Sequence, residues 1–327
     1  MQTRPLGSTG LTITPLGLGL AAVGRPGYIT LGREEDLGAD RTVSTLRRRA
    51  HEVLNAAYDS GVRYFDAARS YGLAEEFLAS WLEDRSLRSG AVTVGSKWGY
   101  TYIGGWRVDA KVHEVKDHSL EALLRQASES RAVLGQHLNL YQVHSATLET
   151  GILDDRAVLS ELTRLGQEGL TIGLSLSGPD QALVARRALA VEVDGLNPFS
   201  SVQATWNLLE TSVGPALAEA HEAGWGVLVK EALANGRLAP RGADPALSTL
   251  REVAEAHGST VDAVAIAAAM AQPWADVVLS GAVTAAQVHS NAAAAALTLS
   301  DEDVARLAKL THNPLQYWRE RGEMRWT

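Results

Sequence analysis

Eight strand-like runs, each followed by a helical pattern, constrain this chain more than any other feature of it. The runs fall at 16–20, 62–66, 91–97, 138–144, 170–175, 200–206, 225–230 and 276–280. Helical patterns lie near 45–58, 73–84, 115–134, 155–168, 179–190, 212–223, 248–272 and 285–296. Alternation of this kind implies a parallel sheet, because a parallel neighbour is reached only through a crossover. Eight such units in 327 residues imply closure into a (β/α)8, or TIM, barrel occupying one domain, residues 1–327. An N-terminal β-hairpin around Gly7-Ser8-Thr9-Gly10 would cap the barrel bottom, and residues 301–311 read as an extra C-terminal helix capped by Ser300. Loop insertions are expected near 24–44 and 98–113, with a tail at 312–327.

Composition removes several classes of function. The absence of cysteine excludes disulfide scaffolding, thiol catalysis and cysteine-ligated metal. A net charge of −8 argues against a general nucleic-acid binder, which needs a basic surface. No stretch approaches the roughly 20 consecutive apolar residues of a membrane span, and no apolar run follows Arg4. A soluble cytoplasmic protein is expected, with neither nucleic acid nor membrane as partner.

The strand ends carry unusual side chains. Strand 62–66 closes on Asp66 and is followed by Tyr71; strand 91–97 closes on Lys97; strand 138–144 closes on His144. Taken singly, Asp66 could cap a helix, Tyr71 could pack under a loop, Lys97 could be solvated and His144 could be a core residue. Together they close three consecutive strands at the face where such barrels keep their active sites. Neighbouring strands lie about 4.8 Å apart, so equivalent positions are expected to meet. A tyrosine has a pKa of about 10, too high for easy proton donation near neutrality. A nearby ammonium would lower it. A carboxylate would keep that ammonium charged, and a neutral histidine could orient a carbonyl oxygen. Such a set is a proton donor aimed at a carbonyl that receives a hydride.

With these residues placed, the chain resembles the aldo-keto reductases, through YFDAARSYG, VGSKWG, LYQVH, IGLS, SVQATWN, GVLVKEALANGRL and VVLSGAVTAAQVHSN. The resemblance implies NAD(P)(H)-dependent reduction of an aldehyde or ketone, or the reverse. Tyr71 would be the general acid/base, Lys97 would lower its pKa, Asp66 would hold Lys97 and His144 would orient the carbonyl. It also implies cofactor contacts from Gly19, Leu20, Ser175, Gln203, Lys230, Glu231, Leu233, Asn235 and Gly236, with Trp206 stacked on the nicotinamide. Gly281, Ala282, Val283, Gln287 and Asn291 would hold the adenosine. Three departures stand out: Leu176 follows Ser175 where the family usually has asparagine, Lys230-Glu231-Ala232-Leu233 replaces a Ser-Pro-Leu type loop, and Ala282–Thr284 carry no base for the 2′-phosphate of NADP. NADP(H) and NAD(H) therefore both remain open as cofactor.

Four of the eight tryptophans lie in 98–113 and 312–327. Trp98, Trp106 and Trp318, with Tyr100, either line a substrate pocket for a small carbonyl or alcohol or simply pin these segments to the barrel. Gly17, Gly19 and Gly24 miss the dinucleotide-fingerprint spacing because position 22 is Ala. His113, Glu114 and His118 suggest a metal site, yet histidines five apart on a helix are rotated by roughly 140°, so chemistry without a metal is expected. The alternatives are a sugar or secondary-metabolite dehydrogenase working mainly in oxidation, and a low-turnover, cofactor-sensing regulatory barrel. A phosphate-sugar isomerase would leave Trp206 and 281–291 without a purpose.

Overall fold

The computed structural model describes residues 1–242 and 244–327. An antiparallel hairpin, β1 (Arg4–Pro5) and β2 (Thr12–Ile13), precedes the first barrel strand β3 (Leu16–Gly19). The barrel continues through β4 (Tyr64–Asp66) and β5 (Thr93–Trp98). A small antiparallel pair, β6 (Tyr100–Tyr102) and β7 (Glu114–Lys116), lies outside it. Then come β8 (Leu138–Ala146), β9 (Thr171–Leu176), β10 (Ser201–Thr205), β11 (Gly226–Lys230) and β12 (Val277–Ser280), which pairs in parallel with β3 and closes the cylinder.

The helices are α1 (Arg33–Leu37), α2 (Val43–Asp59), α3 (Ala74–Asp84), α4 (Leu120–Leu134), α5 (Arg156–Gln167) and α6 (Gln181–Leu189). They continue as α7 (Gly214–Glu222), α8 (Leu247–Ala256), α9 (Val261–Met270), α10 (Ala285–Ala292), α11 (Asp301–Leu307) and α12 (Pro314–Gly322). The outer helices form where apolar residues recur at helical spacing. In α2, Thr42 caps the N-terminus by accepting from the Thr45 N–H, and Leu46, Ala50, Val53, Leu54 and Ala57 face the barrel. Each such leucine or valine, fully buried, contributes about 1.5–3 kcal/mol. Inside the barrel, Leu6 and Ile13 of the hairpin segment close the bottom against Tyr64, Leu140, Leu228 and Val277.

Two expected elements differ. The helical pattern at 248–272 is two helices, because Gly258 adopts a left-handed conformation (φ 58°) between α8 and α9. The pattern at 115–134 begins as strand β7, and its helix starts only after the Ser119 cap. The 24–44 and 98–113 insertions and the 312–327 tail all meet above the barrel mouth, as the cavity they enclose shows below.

The pairing register sets the site. Asp66 lies opposite Gly95, and Lys97 lies opposite Gln142, so Lys97 and His144 each sit two residues beyond the preceding strand's partner. Equivalent positions along the strands are therefore not what converges. Strands in a closed barrel tilt by about 36°, so side chains at one height come from progressively later positions on successive strands.

Candidate active site

Asp66 lies at the centre of a buried polar cluster. Its Oδ1 pairs with the Lys97 ammonium. Its Oδ2 accepts from the Tyr64 hydroxyl at 2.9 Å, Gln203 Nε2 at 3.0 Å and Gln142 Nε2 at 3.4 Å. Lys97 also donates to the Ala67 carbonyl at 3.0 Å, and its Nζ lies 5.2 Å from the centre of the Tyr71 ring. This pair is tolerable in a dry barrel because each charge has a partner and further hydrogen bonds.

Tyr71 stands on the turn after β4. Its phenol oxygen is 3.4 Å from His144 Nε2, and His144 Nδ1 is 3.4 Å from Ser70 Oγ. Burial pulls His144 well below its ordinary pKa, and the charges of Lys97, Arg25 and Lys230 add to this, so the imidazole is neutral at pH 7. Burial holds the Tyr71 phenol well above its ordinary value; the Asp66 charge pushes the same way, and the Arg25 guanidinium opposes both. Lys97 faces the same ring, 5.2 Å from its centre, and is not the sole cation there. Asp66 pairs with the ammonium, and Arg25, 5.3 Å from the ring centre, adds a second cation that pulls the phenol down.

These groups open on a cavity of about 640 Å³. Asp66, Tyr71, His144 and Tyr100 line one end, with Arg25, Tyr28, Glu114, Met324 and Trp326. Lys230 and Glu231 adjoin this end, close enough for their charges to act on His144 and Tyr71, and Gly19, Gln203, Leu233, Asn235 and Gly236 line the middle. Gly281, Ala282, Val283, Gln287 and Asn291 line the far end with Asp36, Arg241 and Asp262. Lys97 is nearly inaccessible beneath Tyr71.

Several expected contacts do not face the cavity. Trp206 follows inward-facing Thr205, so strand alternation turns it outward, where it packs edge-on against Trp274 with 5.8 Å between ring centres. Lys230, in register with Thr205, points inward instead. Ser175 is fully buried and accepts the Ser145 N–H at 2.9 Å; Ser145 and Ser177 reach the cavity in its place. Leu20 is packed in the core. Trp98 is buried against His118, Trp106 packs on Phe77 and donates to the Arg41 carbonyl, and Trp318 packs on Tyr317. Of the four expected pocket aromatics, Tyr100 alone faces the cavity.

His113, Glu114 and His118 are not on a helix. His113 stacks on Trp326 at 4.0 Å, Glu114 pairs with Arg25 at 2.7 Å, and His118 Nε2 lies 2.9 Å from the His144 carbonyl. Among the described residues, no three His, Asp or Glu side chains are grouped to hold a metal ion.

Sequence reasoning missed the contribution of 24–44. Arg33 is buried with its nitrogens on the carbonyls of Ala22, Arg25 and Pro26, and Asn235 Nδ2 donates to the Ile29 carbonyl at 2.9 Å. Residues 28–31 are thereby tied across the cavity to the 231–236 loop, with Leu31 N–H on the Asn235 carbonyl. That loop holds Glu231, Ala234 and Asn235 at positive φ (57°, 48°, 55°), a strain of about 1–3 kcal/mol each that persists only where surroundings impose it. No sequence periodicity reports these contacts; an arginine in a polar, glycine-rich segment was the single available hint.

The model of the aldo/keto reductase family matches residues 27–312. The chain belongs to this family. Members of this family are oxidoreductases that generally use NAD(P)(H) and act on small carbonyl compounds. Among curated relatives, this aldo/keto reductase is 32% identical over 161 residues to pyridoxal 4-dehydrogenase of Microbacterium luteolum, a stretch covering 44% of this chain and 43% of that protein. It thus spans less than half of that relative's length. It is 26% identical to L-galactose dehydrogenase of Arabidopsis thaliana over 90% of this chain and 88% of that one. The solved aldo-keto reductase AKR11C1 from Bacillus halodurans, in its holo form, superposes with a TM-score of 0.71 at 22% identity, covering 95% of this chain and 97% of that chain.

Proposed function

We propose that this aldo/keto reductase interconverts an aldehyde or ketone and its alcohol by hydride transfer with NAD(P)(H), Tyr71 serving as general acid in reduction and general base in oxidation. The observation that carries this reading is the Tyr71 phenol oxygen lining the cavity 3.4 Å from a neutral His144, with the Lys97–Asp66 pair directly beneath the ring.

The phenol is fully protonated at neutral pH, so it is always a loaded donor. His144 has one donor and one acceptor nitrogen when neutral. With Nδ1 accepting from Ser70 Oγ, Nε2 carries the proton and, 3.4 Å from the phenol oxygen, is placed to donate to a carbonyl oxygen set beside the phenol. That oxygen then takes the Tyr71 proton as its carbon is reduced. The Lys97 ammonium and the Arg25 guanidinium face the ring and stabilise the phenolate as it forms. In oxidation the same atoms run in reverse.

The residues also fit a dinucleotide. Asn235 Oδ1 and Asp262 Oδ1 are buried acceptors without a partner among the described residues, and both residues line the cavity beyond Lys230. Ribose hydroxyls and an adenine amino group are donors of the kind they lack. The bound cofactor supplies or accepts the hydride. Gly19, Gln203, Glu231, Leu233, Gly236 and 281–283 would form its walls. Gln287 and Asn291 act at one remove, since Gln287 is tied to Val283 and Asp36, and Asn291 to Ser280 and Asp262.

The oxidative direction has one specific support: the names of the two curated relatives above are both dehydrogenases. The test is nicotinamide absorbance with NADH, NADPH and their oxidised forms against a panel of aldehydes, ketones, sugars and aryl alcohols. Turnover of at least one pair supports the reading. Cofactor binding without turnover of any would favour a regulatory barrel.

A further inference from the structure

The Tyr71 end of the cavity holds four cations and three carboxylates. Lys97 pairs with Asp66, Arg25 with Glu114 and Arg321 with Glu231. Among the described residues, Lys230 has no carboxylate of its own. Its Nζ donates to Thr205 Oγ1 at 2.7 Å, while the fork of Arg321 engages both oxygens of Glu231. Arg33, a buried cation elsewhere on the cavity lining, differs in having every guanidinium nitrogen on a backbone oxygen.

An ammonium carries three donors, and Lys230 uses one. Its side chain points inward from the end of β11 and lines the cavity. Burial draws its pKa from 10.5 to about 8; Arg321 and Lys97 add to the fall, and Glu231 and Asp66 oppose it. Its charge is also felt at His144. A partly desolvated cation in this condition is stabilised by an arriving anion.

We propose that Lys230 is an anion subsite for the substrate, so that this enzyme acts on carbonyl compounds, or their alcohols, bearing a carboxylate or an ionised aromatic hydroxyl near the reacting carbon. The inference rests on the oxidoreductase reading above and adds a substrate class to it. Tyr28, Tyr100 and Trp326 give the same end of the cavity flat apolar walls suited to the body of such a molecule. The phosphate oxygens of the cofactor offer the same chemistry, and the experiment separates the two sources.

Wild type, Lys230→Met and Lys230→Arg are assayed with 4-carboxybenzaldehyde and its methyl ester, which differ in charge and share a frame. The ratio of kcat/KM, acid over ester, is expected to fall tenfold or more in Lys230→Met and to recover in Lys230→Arg. In wild type the same ratio is expected to fall as pH rises through about 8, where Lys230 loses its proton. An unchanged ratio in Lys230→Met overturns the proposal. So does a tenfold weaker cofactor Kd, read by tryptophan fluorescence, with the ratio intact, which assigns Lys230 to the cofactor phosphates. Should neither aldehyde turn over in wild type, benzoate titration by the same fluorescence decides. A tenfold weaker benzoate Kd in Lys230→Met supports the subsite, and equal or absent binding overturns it, while the missing turnover counts separately against Tyr71.

Discussion

Removing Lys97 should reveal how the buried pair is held. In Lys97→Met the Asp66 carboxylate stays in a dry barrel with three neutral donors, Tyr64, Gln142 and Gln203, but no cation. Breaking a buried pair from one side costs about 3–5 kcal/mol. The remaining donors place this case near the lower figure, about 3 kcal/mol. An unfolding entropy of about 2.1 cal/mol/K per residue over 327 residues is about 0.7 kcal/mol/K, so Tm should drop by about 4 °C. Adding Asp66→Asn removes the stranded charge and keeps an acceptor for Tyr64. The double variant should regain about 2 kcal/mol of the loss, while carbonyl reduction stays abolished in both. Urea unfolding followed by circular dichroism, with nicotinamide absorbance on the same samples, measures the two separately. If the two substitutions simply add, Asp66 and Lys97 are not energetically coupled and the ion-pair reasoning fails.

Two further outcomes follow from the same geometry. Arg321, Lys230 and a bond from Thr205 hold the Glu231 carboxyl at about 2 against an ordinary 4.5, outweighing its burial. Its folded-state pKa is depressed, so the stability it contributes is present above 4.5 and is lost as pH falls towards 2. That window corresponds to about 3 kcal/mol, and Glu231→Gln should flatten the acid limb of a denaturation-versus-pH curve; an unchanged limb would contradict it. The far end of the cavity has no basic residue at 282–284, and its Arg241 is paired with Asp36. NADH should therefore support turnover on a par with NADPH, and a hundredfold preference for NADPH in initial rates would refute this.

The barrel and the four polar strand-end residues were legible because alternation and residue type carry them. Asp66, Tyr71, Lys97 and His144 are gathered as expected, although the two-residue stagger that gathers them comes from strand tilt, which no single strand encodes. Trp206 departs from what the family resemblance implies for a local reason: the alternation that puts Gln203 and Thr205 inside puts Trp206 outside. The tryptophans near 98–113 and 312–327 illustrate the same limit, since Trp98, Trp106 and Trp318 pack elsewhere and Trp326 reaches the cavity. Arg25 was illegible, because its place against Tyr71 depends on Glu114, Ser70 and Trp326, contacts far apart in the chain.

The central claim is that the Tyr71 phenol supplies the proton, and Tyr71→Phe tests it most directly, since the ring and its packing remain. Carbonyl reduction, followed by nicotinamide absorbance, should fall by about 10²–10⁴ while cofactor Kd stays within about twofold of wild type. Reduction at a rate comparable to wild type would contradict the account.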